Sequence, residues 1–458
     1  MSFKPYPKYK ESGVEWLGRV PEHWEVMRLG YLASRIGSGK TPSGGADNYC
    51  QQGVLFLRSQ NIYDEGLRLE DVVYITQATD DGMPTSRVLP GDILLNITGA
   101  SLGRTCVVPD DFEAANVNQH VCVIRLRDTS LRAFLSLLLK SAGVKSQLDY
   151  IQNGAAREGL NFSMVSSILC PLPSPEERDR IATFLDHETA KIDALIAEQQ
   201  RLIELLQEKR QAVISHAVTK GLNPDVPMKD SGIEWLGEVP EHWEVRPLKS
   251  AILKIEQGWS PQCESYPAEE GEWGVLKVGC VNGDGFNAEE QKALPREIKP
   301  LPEYEVMEGD ILASRGNTLE LVGQAAFIPK VRERLMLSDL LYRFRPQPER
   351  AAGEFLVRAL RSGYGRFQIE RSATGTSASM KKVSQGGLKN LLIALPPLGE
   401  QHAILTSTST MTAQIDRLSD EARSAITLLQ ERRSALISAA VTGQIDVRGF
   451  SGGGTEAA

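Results

Sequence analysis

Apolar residues recur at helical spacing through the stretch SPEERDRIATFLDHETAKIDALIAEQQRLIELLQEKRQAVISHAV that begins at Ser174. Leu185, Ile192, Leu195, Leu202, Leu206 and Val213 mark the period of an amphipathic helix. Ser174 suits the N-cap, Pro175 the first helical position, and Glu177 completes a capping box. No Pro or Gly follows until Gly221. At the helical rise, roughly 43 residues make a rod of ~60 Å. The pattern returns near the end of the chain with Ile415, Leu418, Ala422, Ala425, Leu429 and Leu436. The seven-residue steps Leu185, Ile192, Gln199, Leu206 and Val213 are those of a coiled coil. Alanines in the middle of the second seam leave room for close approach. The pattern predicts that the two rods pack antiparallel as a spacer. That arrangement relates the two halves by an approximate two-fold axis and puts the regions between the rods at opposite ends.

Those other regions alternate short apolar runs with turn residues, as short strands do. In the first half the runs are Val54–Leu57, Val72–Ile75, Asp92–Asn96 and His120–Ile124, with a helix expected over Thr129 to Tyr150. In the second they are Gly274–Val278, Asp310–Ala313, Ala325–Ile328 and Leu341–Phe344, with a helix over Gly353 to Arg361. The fold class is α+β (mixed α/β): two tandem globular domains joined by two long antiparallel helices in a coiled-coil spacer.

The tandem character is explicit in the sequence. SGVEWLGRVPEHWEV at Ser12 returns as SGIEWLGEVPEHWEV at Ser231, with 13 of 15 positions identical and an offset of 219. LLQEKRQAVISHAVT at Leu205 returns as LLQERRSALISAAVT at Leu428, with 11 of 15 identical and an offset of 223. Between the repeats only short signatures agree. Gly91-Asp92-Ile93-Leu94 matches Gly309-Asp310-Ile311-Leu312, and Gly39-x-Thr41-Pro42 matches Gly258-x-Ser260-Pro261. The expected segments are a repeated block 1–26, a variable domain 27–170, a long helix 171–220, a repeated connector block 221–245, a variable domain 246–394, a long helix 395–442 and a flexible tail 443–458.

Composition is that of a folded protein, with 41% apolar and 24% charged residues among 458. No apolar run is long enough to span a bilayer, and Met1 to Lys10 lacks the apolar core of a signal peptide. Six scattered cysteines, Cys50, Cys106, Cys122, Cys170, Cys263 and Cys280, form no CxxC pair and read as small buried residues in a reducing cytosol. No Cys/His spacing suggests a metal site. Taken over the whole chain, the net charge of -8 opposes a nucleic-acid partner. However, the connector block 221–245 alone carries -5, whereas the variable domains carry -1 and +2.

Several enzymatic motifs are approached and missed. Gly37-Ser38-Gly39-Lys40-Thr41 resembles the end of a P-loop, but Ser34 stands where the leading Gly belongs, and the repeat has Trp259 in place of Lys40. Gly99-Ala100-Ser101-Leu102-Gly103 matches a hydrolase elbow, yet a strand rather than a helix is expected after it. Asn223-Pro224-Asp225 lacks the second Pro and the aromatic of an adenine methyltransferase motif. His23 and His242, and Trp16, Trp24, Trp235 and Trp243, sit in the repeated blocks and read as packing or docking residues. No catalytic residues and no metal ligands are assigned.

The ordered duplication of SGxEWLGxVPEHWEV, GDIL, the G-x-[Ser/Thr]-Pro turn and the helix ending in EKRQAVISHAVTKG resembles the specificity (S) subunit of Type I restriction–modification systems. In the second copy, Gly399 stands in the first helical turn and the Ser cap is missing. The resemblance implies that each variable domain is a target recognition domain reading one half of a bipartite double-stranded DNA target. It implies that the helices space the half-sites about one to two DNA turns apart. It implies two modification (methyltransferase) subunits that methylate adenine N6, and restriction (motor/nuclease) subunits that cleave unmodified DNA. S-adenosylmethionine, ATP and Mg2+ are expected on those partners and none on this chain. The implied setting is cytoplasmic and nucleoid-associated, in a bacterium or archaeon, with no membrane contact. Direct readout needs Arg, Lys, Asn and Gln on loops. Candidates for DNA binding are Arg58, Gln60, Asn61, Arg104 and Arg157 in the first domain, and Lys277, Arg315, Asn317, Arg371, Lys381 and Lys382 in the second. The alternative is a coiled-coil assembly scaffold without sequence-specific DNA binding.

Overall fold

The computed structural model describes residues 4–42, 44–153, 159–375 and 380–450. The chain forms two compact units, Met1–Gln200 with Arg423–Ala458, and Arg201–Ala422. Among the described residues no helix is long and apolar enough to cross a membrane.

In unit 1 a four-stranded antiparallel sheet runs in the order Thr105–Val107, Ile93–Asn96, Val121–Leu126, Ala33–Ser38. Its middle strands are buried on both faces, which is why they read as unbroken apolar runs. Ile93, Leu95, Cys122 and Ile124 point toward Phe134, Leu135 and Leu138 of the following helix. Leu94, Val121 and Val123 point into a second core with Leu57 and Val117. A second sheet, Val73–Ile75, Val54–Leu57, Ala115–Val117, Arg87–Val88, lies beyond.

Unit 2 repeats the scheme. Its main sheet is ordered Ile252–Gln257, Leu341–Pro346, Ile311–Ser314, Ala325–Phe327. Its smaller sheet is ordered Gln291–Ala293, Gly274–Leu276, Leu335–Met336. The first strand of each main sheet, Ala33–Ser38 and Ile252–Gln257, was not expected from the sequence.

The GDIL signatures now have a cause. Gly91 and Gly309 take positive φ of 82° and 86° to enter the central strand. The next residue caps that turn and holds an arginine from the neighbouring strand. Asp92 accepts from the Leu89 amide at 2.8 Å and from Arg125 at 2.8 and 2.7 Å. Asp310 accepts from the Met307 amide at 2.9 Å and from Arg345 at 2.5 Å.

The helix expected over Thr129 to Tyr150 is two helices, Arg132–Lys140 and Ala142–Asn153. Ser141 breaks it with an extended backbone, and its hydroxyl donates to the Leu138 carbonyl at 2.6 Å. Ser362 makes the same break in unit 2, between Gly353–Arg361 and Gly363–Ser372. In unit 1 the break was missed because a lone Ser in a helical pattern is a weak stop signal. In unit 2 the expectation ended at Arg361 and left out the second helix, which carries two glycines, Gly363 and Gly365.

The long helices run Pro175–Lys220 and Leu398–Val441, so Gly399 does not delay the second. They pack antiparallel within each unit. In unit 1 the start of the first helix, Ile181, Phe184 and Leu185, shares a core with the end of the second, Ile437, Ala440 and Val441. Further along, Arg433 donates to Asp193 at 2.8 and 3.2 Å. In unit 2, Ala217 and Val218 meet Ile404 and Leu405, and Arg210 donates to Asp416 at 2.9 Å. The offset of 223 converts one ion pair into the other with the helices exchanged. Ile192, Ile203 and Leu206 of the first helix and Ile415, Ser419 and Ala422 of the second are buried. Leu195, Leu202 and Leu418 fit the apolar period but face solvent.

The repeated blocks clasp the helix ends. Trp24 and Trp243 are fully buried. His23 Nε2 lies 2.8 Å from Glu177 at the start of the first helix, and His242 Nε2 lies 2.8 Å from Glu400 at the start of the second. Glu177 also accepts from the Tyr6 hydroxyl at 2.6 Å. Its carboxylate therefore serves the clasp instead of the capping box expected with Ser174. Each clasp also meets the end of the other helix, where Gly443 abuts Pro21 and Trp24, and Gly221 abuts Pro240 and Trp243. Both glycines have positive φ, 73° and 78°, as C-caps require.

The segment after the second helix is packed through residue 450, which corrects the expectation of a flexible tail from 443. Asp446 N donates to the Lys4 carbonyl at 2.8 Å, Val447 is buried, and Phe450 sits edge-on to Phe184 with ring centroids 5.2 Å apart.

Candidate nucleic-acid interface

In unit 1 several loops meet beyond the ends of the strands. Gly39 belongs to the tempting P-loop-like segment, and its role is close approach. A Cβ there would lie 1.5 Å from the Val117 carbonyl oxygen, and its amide donates to Asn118 O at 3.1 Å. Gly258 does the same in unit 2, 2.0 Å from Leu337 O. The residue two positions on is tied to the loop thus approached, Thr41 to Gln119 and Ser260 to Asp339. This explains the G-x-[Ser/Thr]-Pro signature without a phosphate. The turn Gly99–Ser101 joins two antiparallel neighbours, Ile93–Asn96 and Thr105–Val107, so Ser101 lacks the strand-to-helix setting of a hydrolase nucleophile. Its hydroxyl accepts from Asn96 at 3.0 Å.

Around these loops the structure gathers Arg58, Gln60 and Arg104. Asn118 N donates to Leu57 O at 3.1 Å, and Asn96 Nδ2 donates to Ser59 O at 2.8 Å, so the loops are mutually fixed. Arg58 donates to the Asp71 carbonyl at 3.2 Å, and Gln60 donates to the Asp71 carboxylate. Arg104 lies over the Tyr63 ring, its guanidinium carbon 4.6 Å from the centroid. Asn61 must be corrected as a contact residue. It is buried and bonded to its own loop, accepting from Arg58 N and donating to the carbonyls of Arg68 and Asp71, each at 2.9 Å. Arg157 lies outside the described residues.

In unit 2 a two-stranded ribbon, Gly316–Asn317 against Lys381–Lys382, brings Asn317, Lys381 and Lys382 together. Arg315 adjoins it, accepting at its carbonyl from Val383 N at 2.9 Å. Asn317 Nδ2 donates to Asn282 Oδ1 at 3.1 Å. The Asn282 loop begins at Lys277, whose Nζ is 3.0 Å from Glu290. Arg315 faces Asp339 at 4.0 Å, and Lys381 donates to the Gly375 carbonyl at 2.7 Å. Arg371 is exposed at the end of Gly363–Ser372, three residues before Thr374, which bridges to Lys382. Several candidate cations are thus partly neutralised by carboxylates of their own unit.

Tyr63, Arg68, His120 and Asp339 belong to the same surfaces and were not picked out from the sequence. The turn Asp64-Glu65-Gly66 between Tyr63 and Arg68 is the signal that could have marked a hairpin there. Burial pushes the nearby thiols of Cys106 and Cys280 up to about 12, so neither is a nucleophile at neutral pH. Among the described residues no group of three or more His, Cys, Asp or Glu side chains is placed to hold a metal ion.

The model of the Type I restriction modification DNA specificity domain matches this chain twice, over residues 21–206 and 240–427. The chain belongs to that specificity family. The two matches each begin in a repeated block and end in a long helix, so the family repeat is block, variable domain and helix. A relative in Escherichia coli, the Type I restriction enzyme EcoEI specificity subunit, is 30% identical over 241 residues, covering 52% of this chain and 40% of that protein. The chain therefore spans less than half the length of that relative in the match. The putative type I restriction enzyme MjaX specificity subunit of Methanocaldococcus jannaschii is 26% identical over 451 residues, covering 96% of this chain and 98% of that one. A chain from a solved structure on complex assembly and conformational transition of the type I R-M system has a TM-score of 0.66 at 18% identity, covering 93% of this chain and 99% of that one. That last likeness is one of fold.

Proposed function

We propose that this specificity-family protein is the DNA sequence-recognition subunit of a Type I restriction–modification complex. Each unit reads one half of a bipartite target in double-stranded DNA. The observation that carries this is one scaffold with two different loop surfaces. The glycine approach, the loop tie and the GDIL turn are kept in both units, whereas the cations and amides carried on the loops differ. Arg58, Gln60 and Arg104 stand in unit 1, and Lys277, Arg315, Asn317, Lys381 and Lys382 in unit 2. A reader of two unlike half-sites needs that combination. The names of the relatives support the same reading.

The chain supplies recognition and no catalytic groups. Two modification subunits methylate adenine N6 using S-adenosylmethionine that they bind, and restriction subunits cleave unmodified DNA with ATP and Mg2+. The helices offer a docking surface in duplicate. Leu195 and Leu428 are exposed in unit 1, and Leu205 and Leu418 in unit 2, the same two positions of the helical repeat at an offset of 223. Two copies of one partner fit a surface present twice. Because Arg58, Lys277 and Arg315 are shared with Asp71, Glu290 and Asp339, the chain alone binds DNA weakly, and the partners supply much of the phosphate-neutralising charge.

The test is to map methylated adenines in cells carrying the complex, then replace residues 27–170 by those of a relative. One half of the methylated motif changes and the other stays. If neither half changes, the reading is wrong. A complex that assembles without any sequence preference points instead to a helical assembly scaffold.

A further inference from the structure

We propose that Arg104 reads a guanine edge in the half-site of unit 1 and that Tyr63 is the ring that positions it. This rests on the DNA-recognition reading above and names the residue that carries part of it. Among the described cations of the unit 1 surface, Arg104 alone combines a fixed backbone, a supported side chain and a free donor fork. Its amide donates to Ser101 O at 3.1 Å and its carbonyl accepts from Asn96 N at 2.9 Å, so the residue is locked into the turn. Its guanidinium rests on Tyr63, and no carboxylate or hydrogen-bond acceptor among the described residues takes up its N–H groups. Arg58, by contrast, is bonded to Asp71.

The ring itself is held from three directions. Tyr63 sits in the hairpin Ile62–Tyr63 and Gly66–Leu67. The next residue, Asp64, accepts from the Thr105 amide at 2.9 Å and from Lys145 Nζ at 2.6 Å, which ties the hairpin to the strand that begins beside Arg104. Buried Asn61 closes the hairpin base by bonding the Arg68 carbonyl, and Arg68 covers the same ring at 3.7 Å. A guanidinium stacked on an aromatic ring has lost most of its rotamer freedom before DNA arrives. Its planar fork matches the O6/N7 pair of guanine, an edge that no other base presents in the major groove.

The experiment uses the complex of the full chain with its modification subunits. The wild-type motif is mapped, and the swap of residues 27–170 shows which half belongs to unit 1. Binding is then measured to duplexes in which each base pair of that half is replaced in turn, for wild type, R104A, R104K, Y63F and Y63L. We expect one G·C position at which R104A and R104K lose roughly tenfold to hundredfold discrimination. The half read by unit 2 keeps its preference, which also reports that the variants are folded. Y63F retains discrimination and Y63L loses most of it. A unit 1 half-site without guanine overturns the proposal, as does an R104A that weakens every duplex equally, because that is a phosphate contact. Wild-type behaviour of Y63L overturns the positioning role. Absence of any motif for the wild-type complex is a different outcome and sinks the recognition reading itself.

Discussion

The hydroxyl of Tyr6 donates to Glu177 at 2.6 Å, deep in the clasp that holds the start of the first long helix. Burial and this neighbouring carboxylate push the Tyr6 phenol well above its ordinary range. The equivalent glutamate in unit 2, Glu400, has His242 as its bonded partner and a more exposed side chain, 28% against 5% for Glu177. Glu177→Ala therefore strands a buried hydroxyl and costs about 2–3 kcal/mol, whereas Glu400→Ala costs about 1 kcal/mol or less. Calorimetric melting of the two variants checks the asymmetry. Equal losses would show that the Tyr6 contact adds nothing.

Gly39→Ala and Gly258→Ala place a methyl group against backbone carbonyls that cannot swing away, at 1.5 and 2.0 Å. Each substitution is expected to destabilise its own unit by about 3 kcal/mol or more. Gly283→Ala is the control, since nothing lies within 4 Å of a Cβ there. Hydrogen exchange resolved by unit measures the effect. Under a nucleotide-loop reading of Gly39, nucleotide would protect unit 1, and we expect no such protection.

Burial pushes the thiols of Cys106, Cys122, Cys170 and Cys280 from an ordinary value of 9.0 up to about 12. A folded value above the unfolded one means that the contribution to stability is complete below pH 9 and is lost as pH rises toward the folded value. Melting temperature should hold level to about pH 9 and fall beyond it. In the native protein a thiol reagent should label half-buried Cys50 and Cys263 first, and the other four only on unfolding. Fast labelling of all six would contradict the packing described.

Lys381 and Lys382 pair with the Gly316–Asn317 strand, and under the proposed function they contact the phosphate backbone. Lys382→Ala in the assembled complex should weaken binding to all duplexes alike and reduce the slope of log affinity against log salt by about one. A change confined to one base position would make Lys382 a base reader.

Much of the architecture was written in local pattern. The long helices announce themselves by period, and the central strands by unbroken runs such as Ile93-Leu94-Leu95. The duplicated motifs mark the repeat. What local pattern could not carry was partnership. Glu177 looks like a capping residue until Tyr6 and His23 are seen beside it. Leu195 fits the helical period as well as Ile192 does, and only the neighbouring helix decides which of them is covered. Asn61 has the composition of a DNA contact, yet its amide closes a hairpin. Tyr63 and Arg104 are 41 positions apart in sequence, and nothing in either segment says that they stack.

The division of the chain has a consequence for biosynthesis. Unit 2 is one unbroken stretch, Arg201–Ala422, whereas unit 1 needs Arg423–Ala458 to return to its first 200 residues. The contacts of Asp446 with Lys4 and of Phe450 with Phe184 can form only once that late segment has left the ribosome. Unit 2 can close before unit 1 does, because all of its residues are made before the segment that unit 1 awaits. The half that is encoded second is thus the first to be finished, and the nascent first half waits with the flank of its helix, Ile181 to Leu185, uncovered until the last turns of the second helix arrive.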